Sequence, residues 1–311
     1  MKQLDVIASG YVSMDHIIKI ASPARIGYTS LVTNKGNTKV YPGGCSLNIA
    51  YALCRLGLRA APVLRVGGDY EENGLKAFLE NGKVPLEGIT VVEQEATSTC
   101  YLLQDNNNEH ITVFYPGSMD GKYAKNMADE LFEGTRIGVM TVAARADNEM
   151  FFEKCKKHHV PVAFGMKADF DAFPKEFLKE ILTYSEIIFT NEAEKAMIEE
   201  LYGMNDITKL FEQGNARMII TTLGKDGSMC YEKTKEGMKK NHIPAYHADQ
   251  VVDATGSGDA YIAGFLFGYL NGKDSIECGK LGSALSWFVL QKEGCCSNIP
   301  SQDKLFEKIR E

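Results

Sequence analysis

Apolar positions along this chain follow two alternating rhythms. Short apolar runs within Leu4 to Gly10, Ile187 to Phe189 and Met218 to Ile220 are each closed by glycine, threonine or asparagine. Runs of that length without a polar face predict strands buried on both sides. Between them lie segments with helical spacing: Gly74 to Leu79, Ala260 to Leu270, and the set Ile49, Ala50, Leu53 and Leu56 closed by Gly57. A glycine just past the last apolar position is a helix C-cap signal. Strand and helix signals alternate over the whole length, which predicts an α/β domain. Two stretches break the rhythm. Ile17 to Val40 carries alternating apolar positions and two glycines, and Thr97 to Gly117 predicts a hairpin turning at Asp105-Asn106-Asn107-Asn108. No internal repeat, low-complexity tract or long linker is present, so residues 1–311 are expected to fold as a single domain.

The run Asp253-Ala254-Thr255-Gly256-Ser257-Gly258-Asp259 opens directly into the apolar segment from Ala260. Two glycines around a small serine let the backbone turn tightly and point successive N–H groups outward, where the positive end of the helix dipole adds to them. Such a loop binds anions. Asp259 is the oddity, because a carboxylate among anion-binding amides repels a phosphate unless it has another task, such as taking a proton from an attacking hydroxyl. Read by itself, the aspartate is equally a helix cap stabilising by roughly 1 kcal/mol. The loop lacks the Lys-Ser or Lys-Thr ending of a P-loop and does not follow the G-x-G-x-x-G dinucleotide pattern.

A second glycine motif decides between these readings. Tyr41-Pro42-Gly43-Gly44-Cys45-Ser46-Leu47-Asn48 leads into the helix that ends at Gly57. It offers bare backbone where a small polar ligand can approach, with Asn48 one or two helical turns in. Together the two motifs resemble the ribokinase-like (PfkB) carbohydrate kinase family, and the strand Ile111 to Tyr115 ending in Pro116-Gly117, with the Asn-rich turn before it, resembles the adenosine-kinase-like branch. Gly43, Gly44, Asn48 and Ala50 match that family's acceptor segment, and Asp253, Gly256, Gly258 and Asp259 its phosphate segment. Ala254 replaces the usual threonine and Ser257 the usual alanine.

The resemblance implies a three-layer α/β/α fold with a small β-sheet lid, the lid formed by the inserts near 17–40 and 97–117. It implies ATP as donor, Asp259 as catalytic base, and the amides of Gly256, Ser257 and Gly258 as an anion hole. Asp15, Gly43, Gly44, Asn48 and Phe114 would then hold the acceptor. Asn191 and Glu194 would order water around magnesium and phosphate, and the turn with Thr222, Gly224, Lys225 and Gly227 would meet the nucleotide. Asp253, Thr255 and Asn298 would enclose a monovalent cation such as potassium. Val66-Gly67-Gly68-Asp69 matches a family turn that ends a strand. From the residues alone, Asn191 followed by Glu194 is also a plain helix-capping box, and Lys225 is also an ordinary solvated lysine.

Composition narrows the partners. A net charge of −7 with a pI near 5.5 argues against nucleic acid or an acidic membrane surface. No signal-peptide layout opens the chain and no apolar run spans a bilayer, which predicts a cytoplasmic protein. Eight scattered cysteines without a C-x-x-C pair predict reduced thiols. The partner is then a small molecule, and the lid is also a candidate homodimer surface. A nucleoside acceptor would call for aromatic residues, for which Tyr41, Phe114 and Tyr115 are candidates, and a sugar phosphate for cations, for which Arg65 and Lys39 are candidates. The expected activity is transfer of the γ-phosphate of ATP to a primary hydroxyl of an adenosine-like ribonucleoside or a free sugar. A sugar phosphate or cyclic polyol kinase and a non-catalytic sugar- or nucleotide-binding regulator stand as alternatives, the presence of Asp259 favouring an enzyme.

Overall fold

A computed structural model describes residues 3–106 and 110–310. In chain order the first half contains β1 (Val6–Ser9), β2 (Ser13–Lys19), β3 (Val40–Gly43), α1 (Cys45–Arg55), β4 (Ala60–Gly67), α2 (Leu75–Asn81), β5 (Ile89–Val92), β6 (Thr99–Gln104), β7 (His110–Tyr115), β8 (Ile137–Met140) and α3 (Arg145–Lys157). The second half contains β9 (Val162–Gly165), α4 (Lys175–Tyr184), β10 (Ile187–Asn191), α5 (Glu192–Tyr202), α6 (Leu210–Gln213), β11 (Met218–Thr222), β12 (Ser228–Thr234), β13 (Gly237–Ile243), α7 (Ser257–Leu270), α8 (Ser275–Val289) and α9 (Gln302–Arg310).

Nine strands form the main sheet in the order β13-β12-β11-β10-β9-β8-β1-β4-β5. Its seven strands from β11 to β5 run parallel, and β12 and β13 add an antiparallel edge. The parallel strands β1, β4, β8 and β9 are buried at every position, as expected where helices cover both faces. One core joins the sheet to α1, α7, α8 and α9 through Ile49, Leu53, Phe265, Leu285 and Leu305. The other joins it to α3, α4 and α5 through Phe151, Phe152, Leu178, Ile181 and Ile198. The two cores and the sheet between them give the three layers.

Helix α7 is buried from Asp259 to Gly268 and has no polar face, the signature of a core helix. It lies unusually close to α8. A Cβ on Gly264 would collide with the Leu281 carbonyl, and one on Gly282 would come 2.9 Å from the Tyr261 carbonyl, so glycine on each helix makes room for the other.

The four strands β3-β2-β6-β7 form a separate small sheet. Only the ends of the stretch from Ile17 to Val40 contribute to it. Within that stretch β2 stops at Lys19 and β3 starts at Val40, and between them the chain makes a single bridge, Ile20 to Val32. Ile26, Tyr28 and Leu31 are exposed, so this segment has no neighbour on which to extend a ladder. The second stretch forms the expected hairpin, β6 with β7. Asn107 and Asn108 of its expected turn lie outside the described residues. A third apolar cluster, with Val12, Met14, Leu47, Cys295 and Cys296, seats the small sheet on the body. No helix among the described residues is long and apolar enough to cross a membrane.

Candidate active site

Because β8, β9, β10 and β11 run parallel, their C-terminal ends reach one edge of the sheet together. The N-termini of α1, α5 and α7 converge on that edge, enclosing a cavity of about 90 Å3. Its walls include Cys45, Thr141, Lys167, Glu194, Thr222 and Asp259. An open parallel sheet offers its ligand crevice at this edge, with helix dipoles aimed into it.

The anion loop takes the shape its glycines permit. Gly256 is left-handed (φ 75°), and a Cβ there would lie 2.6 Å from that of Cys295. Both conformation and contact therefore demand glycine. Around Gly258 a Cβ would meet nothing within 4 Å, so this side faces open cleft. Ser257 turns its N–H back to the Ala254 carbonyl (3.2 Å), whereas the N–H groups of Gly256 and Gly258 have no acceptor among the described residues. Asp253 braces the loop from behind: Oδ1 accepts from the Thr255 N–H (2.9 Å) and Oδ2 from the Gly294 N–H (3.0 Å). The second of these bonds joins the loops at 253–255 and 294–298. Asn298 spends its amide N–H on the Phe288 carbonyl (2.6 Å) at the end of α8.

Asp259 is buried in the first turn of α7, and its Oδ2 accepts from Asn48 Nδ2 at 2.8 Å. Asn48 sits in the first turn of α1, nearer the helix start than its sequence setting suggests. Its Oδ1 receives the Cys296 thiol (3.4 Å). The two glycine motifs, 211 residues apart, are thus joined by one side-chain hydrogen bond. Gly44 (φ 96°) lets β3 turn into α1 under the Tyr11 carbonyl, where a Cβ would collide, and a Cβ on Gly43 would collide with the Asp15 carboxylate.

Strand pairing aligns Tyr41, Asp15, Cys100 and Phe114 as directly opposed neighbours across β3, β2, β6 and β7. Opposed residues share a face, so Phe114 shares the face of Asp15. Burial, and the nearby carboxylates of Asp253 and Asp259, push the Asp15 carboxyl up to about 6, against the lowering effect of the Ser13 hydroxyl bonded to it.

At the start of α5, Asn191 and Glu194 form a true capping box, with both bonds at 2.8 Å. Glu194 also lines the cavity, so capping and site geometry coexist. Burial raises the Glu194 carboxyl, opposed by the Asn191 N–H and Lys167. Thr222 lines the cavity, while Gly224 and Lys225 lie in an exposed 3-10 turn outside its walls. Gly227 (φ 92°) answers to packing, since a Cβ there would collide with the Ile243 carbonyl.

Three acceptor candidates read from the sequence are occupied elsewhere. Tyr41 is buried against Gly294 and donates its hydroxyl to Glu293 (3.2 Å). Arg65 is buried, with both guanidinium nitrogens on Asp147 and Nε on the Ser118 carbonyl (2.8 Å). Lys39 is exposed over the Tyr41 ring. Tyr115 bonds Glu95 through its hydroxyl (2.9 Å) and lies one position off the Asp15 face. Several residues in and beside the cavity were not assigned a role by the sequence reading. Tyr11 packs edge-on against Phe114 with centroids 5.0 Å apart, and burial, then Asp169 and Asp147, push its hydroxyl up to about 12. Cys45, Thr141 and Lys167 line the cavity. For Lys167 a signal was present, a lysine two residues past the apolar run Val162 to Gly165.

A large parallel sheet carrying an anion loop, a buried carboxylate and a second small sheet is the architecture of a sugar-type kinase. The pattern of the pfkB family carbohydrate kinases matches residues 3–302, and the chain belongs to that family. It is a phosphotransferase that uses an alcohol acceptor. The chain is 28% identical to a nucleoside kinase of Methanocaldococcus jannaschii over 99% of its own length and 97% of that protein's. A nucleoside kinase of Methanothermobacter thermautotrophicus is 29% identical, covering 98% of this chain and 95% of the other. The crystal structure of the M. jannaschii enzyme superposes with a TM-score of 0.86, covering 99% of both chains at 27% identity. A Burkholderia thailandensis nucleoside kinase in complex with inosine shares the fold at a TM-score of 0.83 and 22% identity, covering 98% and 96%.

The raised Asp15 carboxyl carries a stability consequence. The folded protein holds this proton more tightly than the unfolded chain, so stability is greatest with respect to Asp15 below the ordinary value of 3.8 and is lost as pH rises through about 6. A displacement of this size corresponds to about 3 kcal/mol. Asp15→Asn should therefore melt above the parent protein at pH 8, with the gain vanishing near pH 4. Thermal unfolding at both pH values measures it, and a variant less stable than the parent at pH 8 would contradict the assignment.

Proposed function

We propose that the protein is an ATP-dependent kinase that phosphorylates the primary hydroxyl of a ribonucleoside, adenosine-like nucleosides foremost. The observation that carries this reading is the row of Asp15, Cys100 and Phe114 across one face of the small sheet, together with an Arg65 whose guanidinium is committed to Asp147 and to backbone carbonyls. A carboxylate suits ribose hydroxyls and a ring suits a base, whereas a phosphorylated acceptor needs a cation this side does not offer. The relatives of matching length that are named nucleoside kinases support the same reading.

The chemistry follows from charge. As the acceptor oxygen bonds to the γ-phosphorus, the bond from that phosphorus to the β–γ bridging oxygen breaks and ADP leaves with its electron pair. The hydroxyl proton passes to Asp259, whose carboxylate Asn48 holds in place. The N–H groups of Gly256 and Gly258 face the developing charge, each contributing roughly 3 kcal/mol to lowering the barrier. Asp15 fixes the acceptor, and the small sheet acts as the lid that excludes water.

The carboxylate chemistry at the start of α5 fits a magnesium water shell, because Glu194 commits only Oε2 to the Asn191 N–H. Magnesium, when bound, supplies positive charge to the β and γ phosphates. The loops at 253–255 and 294–298, tied by Asp253, would hold potassium through the backbone of Asp253 and Thr255 and the Asn298 region. The opposite face of the lid carries Val40, His16, Tyr101 and Val113 in one row, with Tyr101 41% and Val113 51% exposed. We assign that face to a second copy of the chain, which sedimentation of the protein and of Val113→Lys tests: a monomeric parent removes the assignment.

Asp259→Asn should reduce turnover by about 10³-fold or more while ADP binding is retained and the protein stays folded, its melting temperature falling only by the lost charge assistance in the Asn48 bond. A variant retaining most of its rate removes Asp259 as the base. In the same assay, chelation of magnesium should abolish transfer, and replacing potassium by tetramethylammonium should slow it.

The acceptor is tested by a phosphotransfer panel of nucleosides, free sugars, polyols and sugar phosphates, with nucleosides expected first. Phe114→Ala should raise the acceptor KM by about tenfold, the loss of one stacking contact, and leave the KM for ATP unchanged. Preference for a sugar phosphate would overturn the nucleoside reading and leave the kinase intact.

A further inference from the structure

One charged wall of the cavity has no part in the chemistry derived so far. Lys167 follows β9 by two residues, and its backbone is held on both sides. The Met166 N–H donates to the Phe189 carbonyl (3.1 Å), and the Asp169 N–H donates to the Lys167 carbonyl (2.8 Å). Because β9 lies between β8 and β10 in the sheet, this places the lysine in the middle of the cavity, between the walls formed by Thr141 and by Asn191. Lys167 is the sole lysine or arginine among the described residues lining it.

The ammonium has carboxylates on two sides and bonds to neither. Asp259 directs Oδ2 to Asn48, and Glu194 directs Oε2 to the Asn191 N–H. Among the described residues, no hydrogen bond or ion pair is formed by Lys167 Nζ. A lysine on an ordinary solvated face needs no such account, but this one projects into a concave, water-accessible cleft beside an anion loop. Its surroundings keep it charged: the Cys45 sulfur first, then, against the opposing effect of burial, Asp259 and Glu194 raise its affinity for a proton. It therefore offers charge rather than a proton.

The charge balance of the cleft gives that cation a task. Four buried carboxylates, Asp15, Asp253, Asp259 and Glu194, stand in and around the cleft, Arg65 is consumed by Asp147, and Lys225 lies outside the walls. In phosphoryl transfer, charge gathers on the equatorial oxygens of the moving group and on the bridging oxygen that leaves. We propose that Lys167 is a catalytic residue whose ammonium contacts the γ-phosphoryl group during its passage from nucleotide to acceptor. Its proton stays in place throughout, while the acceptor proton goes to Asp259 and the electron pair of the broken bond goes to ADP. The inference rests on the kinase reading of this cavity and not on which alcohol is phosphorylated.

The test uses the whole protein with whichever acceptor the panel ranks first. Lys167→Met should lower kcat by about 10²–10³-fold, as loss of one preorganised charge-stabilising group does, with KM for the acceptor unchanged. Lys167→Arg should recover a substantial part of the rate. Affinity for ADP alone should be retained in Lys167→Met, whereas affinity for ADP with magnesium and aluminium fluoride, which mimics the moving phosphoryl group, should fall at least tenfold. Melting temperatures of all variants should match the parent, since the side chain makes no bond in the fold. If Lys167→Met is insoluble, Lys167→Gln carries the same comparison. A kcat within threefold of the parent, or equal losses of ADP and aluminium fluoride affinity, overturns the assignment. A parent enzyme that phosphorylates a sugar and no nucleoside would defeat the acceptor reading and leave the Lys167 comparison valid.

Discussion

The cleft depends on the N-termini of α1 and α7 being held face to face, and the contact that holds them is the bond from Asn48 to Asp259. An ionised carboxylate only accepts, so the amide must present its N–H2 to Asp259 and its oxygen to the Cys296 thiol. Both partners are buried. A charge-assisted bond in that setting contributes about 1.5–3 kcal/mol, and it also fixes where the carboxylate points. The segments at 41–48 and 253–259 share one geometry because this pair couples them.

The coupling needs close backbone approach, and glycine supplies it at each critical place. Gly264 and Gly282 let α7 and α8 pack with almost nothing between them, which sets the height of α7 in the body. Gly256 then turns the incoming loop beneath Cys295, and Gly44 does the same for α1 beneath Tyr11. Packing density across the helix layer is thereby converted into the position of a few amides and one carboxylate.

Electrostatically the cleft is assembled against its own stability. Burial first, then the carboxylates of Asp253 and Asp259, raise the cost of ionising Asp15. Such crowding of buried carboxylates at the cost of stability is characteristic of functional sites. Lys167, attracted by two carboxylates but paired with neither, is the complementary feature at the centre of the cavity.

Much of this was legible from residues in order. The buried strands, the helix opening at Asp259, the capping box at Asn191 and the hairpin through Phe114 are local events, governed by apolar period, turn chemistry and caps, and the chain states them directly. The family followed from two short glycine motifs for the same reason. What local sequence could not reveal was which charges were free. Arg65 and Tyr41 looked available until Asp147 and Glu293, 82 and 252 residues away, took them. Lys167 took its place at the centre of the cavity only through the order of β8, β9 and β10. Pairing between distant side chains is decided by strand order and helix packing, and those exist only once the chain has closed on itself.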